Sequence, residues 1–145
     1  MGVVHNKKVR LDYELIEKME AGLELLGIEV KSLRAGHGNL EGARVLARGG
    51  EAYLVGATIP PYQASNTPKD YDPGRNRRLL LKEAEIARIS SAEGAQGLTI
   101  VPISVYNKGR NLKLEIAIAR GKKKYDKRQD LKKRDEERRF KRKEF

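Results

Sequence analysis

Residues 112–119, LKLEIAIA, alternate without a miss: Leu112, Leu114, Ile116 and Ile118 face one way, and Lys113, Glu115, Ala117 and Ala119 the other. A period of two over eight residues is the signature of a half-buried strand. Just upstream, residues 98–106 (LTIVPISVY) are a second β-rich run, joined to the first through a turn at 107–111 that contains Gly109. Residues 43–48 and 51–59 alternate on both sides of Gly49-Gly50, which predicts a tight hairpin. In residues 11–26 the odd positions are apolar in seven cases of eight (Glu17 is the exception), while the even positions are mostly polar. A helical stripe of Leu11, Leu15, Ile16, Met19, Leu23 and Leu26 also fits, but Gly22 argues against an unbroken helix, so the pattern predicts a long bent strand. Residues 28–35 (IEVKSLRA), closed by Gly36, predict a short helix, and residues 82–90 (KEAEIARIS) have helical composition. Pro60, Pro61, Pro68 and Pro73 mark residues 60–78 as a long loop. Five strands, two or three short helices and no βαβ periodicity predict a mainly β fold. A small closed antiparallel barrel of the oligonucleotide-binding kind fits best, because closure removes exposed edges.

The charge is unevenly spread. The chain is +11, yet Arg120–Phe145 alone holds fourteen Lys or Arg against six Asp or Glu, leaving the preceding 119 residues near neutral. A local basic arm of this density is matched to a polyanion, most commonly a phosphate backbone. The expected organisation is an RNA-binding barrel over residues 1–121 and a basic tail over residues 122–145. There are no Cys residues, which removes disulfides, thiolate zinc sites and a Cys nucleophile and suits a reducing cytosol. No stretch approaches 18 consecutive apolar residues, and residues 1–10 lack the apolar run of a signal peptide, so a cytoplasmic protein with no membrane partner is expected.

Catalytic constellations are missing from the pattern. His5 and His37 fall in a flexible start and a Gly-flanked loop, and no HExxH, GxSxG, phosphate-binding loop or dinucleotide fingerprint is present. Neither an enzyme nor a metal or cofactor is expected. Phosphate recognition is better supplied. Lys7, Lys8 and Arg10 form one cluster, Arg75, Arg77 and Arg78 a second, and Lys122, Lys123 and Lys124 a third, with Lys31 and Arg34 on the first predicted helix. Clusters at element boundaries can converge on one side of a barrel, and the arginine fork suits both phosphate and base stacking. Tyr62 and Tyr71 in the long loop offer stacking faces. Leu79–Leu81 reads as an apolar plug, or as an exposed leucine beneath an unstacked base.

Five segments together resemble one family: EAGLELLGIEVKSLRAGHGNL (20–40), GEAYLVGATIPPY (50–62), DPGRNRRLLLKEAEIARI (72–89), GLTIVPISVY (97–106) and ARGKKKYDKRQDLKKRDEERR (119–139). They are similar to the small protein B family, the SsrA-RNA-binding proteins of bacterial trans-translation, and the match is collinear from Asn6 to about Arg139. The resemblance implies an oligonucleotide-binding-type barrel that holds the tRNA-like domain of transfer-messenger RNA. It implies delivery of that RNA to stalled ribosomes, with the body standing in for the missing half of a tRNA. By that resemblance, the family's RNA-contacting acid falls on Glu20, its LLL-motif leucine on Leu80, and a nearby polar residue, Asn in some relatives, on Lys82. The family's Asp-Lys-Arg tail motif falls on Asp126, Lys127 and Arg128, implying a ribosomal role after RNA capture.

Residues 122–145 lack an apolar stripe, since Leu131 and Phe140 lie half a turn out of phase. The tail is therefore expected to be disordered when free and helical on the ribosome, helped by acid-before-base pairs such as Asp130/Arg134, Asp135/Arg139 and Glu137/Lys141. A monomer is expected. The rival reading is a general barrel-type RNA or single-strand binder associated with the ribosome. Single-strand binders use rows of aromatic platforms, and the six Tyr and two Phe here are scattered.

Overall fold

The computed structural model describes residues 2–63, 65, 67–95 and 97–143. Its elements run β1 (Gly2–His5), α1 (Val9–Asp12), β2 (Tyr13–Leu23), α2 (Gly27–Arg34), β3 (Arg44–Arg48), β4 (Glu51–Val55), β5 (Arg77–Leu80), α3 (Glu83–Glu93), β6 (Leu98–Lys108), β7 (Asn111–Gly121) and α4 (Lys124–Lys143). All seven strands join one antiparallel sheet in the order β1-β6-β7-β2-β5-β4-β3. Gly49 and Gly50 carry φ of 59° and 78°, the left-handed pair that a two-residue hairpin needs, and Arg48 pairs with Glu51 across it.

The long strand β2 is where pattern and structure part most informatively. Its register against β7 slips between Leu15, opposite Ala119, and Glu17, opposite Ile118, so Ile16 is an extra residue. One inserted residue inverts the alternation. Tyr13 and Leu15, before the bulge, pack on one face with Val9, Val101, Ile103, Ala117 and Ala119. Met19, Ala21 and Leu23, after it, pack on the opposite face with Leu54, Leu79, Ile100, Leu114, Ile116 and Ile118. The apolar odd positions thus serve two cores, and the bulged Ile16 is left 47% exposed. β6 has a matching irregularity between Pro102 and Ser104. Proline is tolerated at such a site because the ladder is already broken there.

These bulges bend the sheet around the larger core, and β3 comes to pack against β6 and α3. The hydrogen-bonded ladder nevertheless ends at β1 and β3 rather than running on between them, so the expected closed ladder is not what the pairing gives. Two strands escaped the sequence pattern. β1 lies in the stretch read as a flexible start, and β5 sits at the end of the Pro-rich loop. The smaller core explains Ala117 and Ala119. They are buried on the other face of β7, where Val9 of the short α1 packs in the same cluster.

The tail forms α4 (Lys124–Lys143), a 20-residue helix. Its first turns are tied to the body by charge instead of by an apolar stripe. The Lys122 N–H donates to the Asp12 carbonyl (2.9 Å), and Lys122 Nζ donates to the Arg10 carbonyl (2.8 Å). Lys122 also pairs with Asp130, and Lys127 Nζ lies 3.3 Å from Asp12 Oδ1. No Gly or Pro follows Gly121, so helix propensity carries the remaining turns, and Leu131 stays 47% exposed.

Candidate nucleic-acid interface

Glu20, Leu80 and Lys82, which come from three different elements or their ends, meet around one hollow. Leu80 reaches it because β5 pairs antiparallel with the end of β2, with Leu80 opposite Gly22. A Cβ on Gly22 would lie 3.0 Å from the Leu80 Cβ, tighter than ordinary contact, so a larger residue there would push the leucine aside by a few tenths of an ångström. Leu80 is 49% exposed, one of the few large apolar side chains in solvent among the described residues. Lys82 is exposed at the N-cap of α3, where its backbone N–H is held by Glu85 Oε1 at 2.9 Å. The hollow, about 310 Å³, is also lined by Gly22, Glu51, Arg78, Leu79, Leu81 and Lys113. It runs into a neighbouring hollow lined by Arg34, Arg110 and Asn111, the two sharing Gly22, Leu80 and Lys113. The Arg34 guanidinium donates to the Arg110 carbonyl at 2.6 Å, bringing α2 to the β6–β7 turn. Lys31 is exposed on the same helix.

This groove has mixed charge. Arg78 is half-exposed but already bound, its Nε 2.9 Å from Glu51 and its Nη1 3.1 Å from Glu24, and those carboxylates raise its pKa. Glu20 accepts hydrogen bonds from Tyr106 and Lys108, which hold its carboxyl below the usual range. Acids and bases alternate across a hydrophobic step at Leu80. Such a surface supplies directional donors and acceptors and a stacking ledge, which is how structured RNA is read.

The second arginine cluster takes a different role from the one its sequence suggests. Arg77 is fully buried, its side chain 0% exposed. Its Nε and Nη2 donate to Glu29 Oε2 at 2.9 and 2.7 Å, and further bonds reach the Ala57 and Pro73 carbonyls. It has no surface for phosphate. Arg75, partly buried, also donates to both Glu29 oxygens. Burial alone would raise the Glu29 pKa, but the bonds from Arg75, the Leu26 N–H and Arg77 outweigh it and the net direction is down. Tyr71 is likewise absorbed, its hydroxyl donating to the Ile59 carbonyl at 2.7 Å and accepting from Arg77 at 3.1 Å. A buried guanidinium demands an anion. The Arg75/Arg77/Tyr71 group is therefore the clamp that fixes the long loop to α2 and to the start of β5. Of the two loop tyrosines only Tyr62, 45% exposed, keeps a free face.

The first and third basic clusters do converge, away from the groove. Lys7, Arg10 and Lys122 line a cleft of about 430 Å³ with Leu11, Asp130, Lys133, Arg134 and Glu137, between α1 and α4. Lys8 is exposed beside Glu41, 3.7 Å away, and Lys123 is exposed. Lys124 and Asp126 lie on α4 with side chains outside the described residues, while Lys127 and Arg128 follow them. β2 runs from this cleft to the groove, so at about 3.3 Å per residue the two sites stand roughly 25–30 Å apart. Tyr106, Lys108, Lys113 and Arg110 were not picked out from the sequence. Only strand register brings them beside Glu20 and Leu80.

A bent antiparallel sheet with a mixed-charge groove and a separate basic helical arm fits the class of RNA-binding β proteins. The chain belongs to the SmpB protein family, whose sequence model matches residues 3–144. It is 51% identical over 130 residues to the SsrA-binding protein of Alkalilimnicola ehrlichii, covering 90% of this chain and 81% of that protein. It is 48% identical over 136 residues to that of Pelobacter propionicus, covering 94% of this chain and 89% of the relative. A solved chain from the structure "tmRNA-SmpB: a journey to the center of the bacterial ribosome" matches at TM-score 0.70 and 38% identity, covering 88% of this chain and 92% of that one.

Proposed function

We propose that this protein binds the tRNA-like domain of transfer-messenger RNA and delivers it to stalled ribosomes for trans-translation, which releases them and tags the incomplete chain. Membership of the SmpB family supports the partner and the ribosomal setting. The observation that carries the assignment of parts is the meeting of Glu20, Leu80 and Lys82 around one hollow. Within this reading the bent sheet works as an oligonucleotide-binding-type barrel, β3 packing on β6 where the ladder stops. Its outer groove grips the RNA. Arg34, Lys31, Lys113 and Arg110 supply phosphate contacts beside it. The cleft of Lys7, Arg10, Lys122, Lys133 and Arg134, together with α4 and its Asp126-Lys127-Arg128 motif, faces the ribosome. The protein acts by binding, without catalysis of its own, in the cytoplasm.

Sequencing the RNA that co-purifies with the full chain tests this. A single dominant transfer-messenger RNA is expected. A broad mixture of RNAs would instead favour a general RNA binder.

A further inference from the structure

Two side chains on β6 reach across β7 to hold the carboxylate on β2. Tyr106 lies opposite Lys113, and Glu20 lies opposite Glu115, so Tyr106 and Glu20 sit on the outer strands of a three-strand strip about 9.6 Å wide. The Tyr106 hydroxyl nevertheless donates to Glu20 Oε2, and Lys108 Nζ donates to Oε1 at 2.9 Å. Both oxygens are engaged, one by each partner. Left alone, Glu20 would face Glu115 directly, and among the described residues Glu115 is paired with Lys18, 3.9 Å away. A carboxylate in that position would turn toward Lys113 or into solvent. We propose that Tyr106 and Lys108 are positioning residues for RNA recognition, pinning Glu20 so that its remaining lone pairs face the groove.

The chemistry of what Glu20 then recognises follows. An ionised carboxylate only accepts. With one lone pair on each oxygen already used, it offers one more on each, side by side. That arrangement takes donors from RNA, whether a base-edge N–H pair or a 2′-hydroxyl, and rejects phosphate. The charged groups near it are Lys18 on its own strand and Lys113 and Glu115 on β7, of which Lys113 helps to lower its pKa. Tyr106 and Lys108 act from β6, with Arg78, Glu51, Lys82 and Glu85 around the hollow. The largest influence lowering its pKa is the Tyr106 hydrogen bond, followed by Lys108, and the Tyr106 pKa is correspondingly raised. Tyr106 reaches Glu20 through a rigid ring and Lys108 through a flexible, well-exposed stem, so Tyr106 is the firmer of the two supports.

This inference rests on the proposed RNA reading, and two measurements on the full chain separate the fates of the two. The first needs no RNA: carboxyl-carbon NMR titration of Glu20 in the free protein. Tyr106→Phe should move the Glu20 midpoint up, and Lys108→Met should move it less. An unmoved midpoint in Tyr106→Phe would overturn the positioning role, whatever the protein binds. The second compares binding of a tRNA-like-domain transcript with that of an unrelated hairpin. Tyr106→Phe should reduce the preference about tenfold, the effect of one hydrogen bond to a charged group. The salt slope should stay unchanged, because no phosphate contact is lost. In a Glu20→Gln background, Tyr106→Phe should add nothing. Additive losses there would mean that Tyr106 meets RNA on its own account and would overturn the proposal. Thermal melting of each variant separates this loss from unfolding.

Discussion

Replacing Glu29 by Gln keeps the side chain's volume and removes its charge, and the clamp around it makes the consequence calculable. Glu29 Oε2 accepts from Arg77 Nε and Nη2 (2.9 and 2.7 Å) and from Arg75 Nε (3.0 Å). Oε1 accepts from Arg75 Nη2 and from the Leu26 N–H (2.8 Å). An amide NH₂ placed at either oxygen position points a donor at donors. It also leaves the fully buried Arg77 without an anion. Breaking a buried pair by removing one partner costs about 3–5 kcal/mol. Against a total stability of roughly 5–15 kcal/mol this is a large share. For a chain of this size the loss corresponds to a fall in Tm of about 10–20 °C. The pH dependence has a definite sign. Glu29 is lowered in the folded state, so its contribution is complete above the unfolded carboxyl value of about 4.3 and disappears as pH falls through the folded value. Circular-dichroism melts of both proteins between pH 3 and 8 should show a constant gap above about pH 5 that closes in acid. A gap of less than about 3 °C at neutral pH, or one that persists unchanged at pH 3, would refute the reasoning.

Other outcomes follow from the same geometry. Gly22→Val should destabilise by about 1–3 kcal/mol, because its β-carbon meets Leu80 at 3.0 Å, and should weaken RNA capture by displacing that leucine; urea unfolding and a binding isotherm read the two effects. Shortening the chain to end at Gly121 should preserve preference for the tRNA-like domain, and a loss of preference in filter binding would place recognition on α4 instead. Replacing Asp126, Lys127 and Arg128 together by Ala changes the net charge by only one unit, so free-RNA affinity should hold while tagging of stalled chains is lost. Normal tagging would reduce the motif to a counter-ion.

The sequence pattern carried the mainly β class, the Gly49-Gly50 hairpin, helix α2, and the alternation of β7. It misjudged strands whose meaning depends on a partner. The period-two run in β2 is real, but a single bulged residue, Ile16, divides its apolar positions between two cores, and no one-strand pattern reveals a bulge. β5 was hidden because its four residues open with two arginines, one of them buried. Arg77 illustrates the general difficulty: a basic residue beside a loop looks like a phosphate contact until its anion, Glu29 on a distant helix, is seen in place. Family resemblance pointed to Glu20, Leu80 and Lys82, and the structure brings them together. Their support from Tyr106, Lys108 and Lys113 is a property of register, which local sequence does not encode. The contacts at the start of the tail are non-local in the same way. Lys122 reaches the Arg10 carbonyl and Lys127 reaches Asp12, both far away along the chain.

The central claim is that RNA capture belongs to the groove at the Gly22 end of β2 and not to the basic cleft at its other end. Amide NMR of the full chain, titrated with the tRNA-like domain, tests it most directly. Perturbations should concentrate at residues 20–23, 78–82 and 106–113, leaving Val9–Asp12 and the amides of Lys132–Arg138 little changed. Perturbations centred on α1 and α4, with a silent groove, would contradict the account.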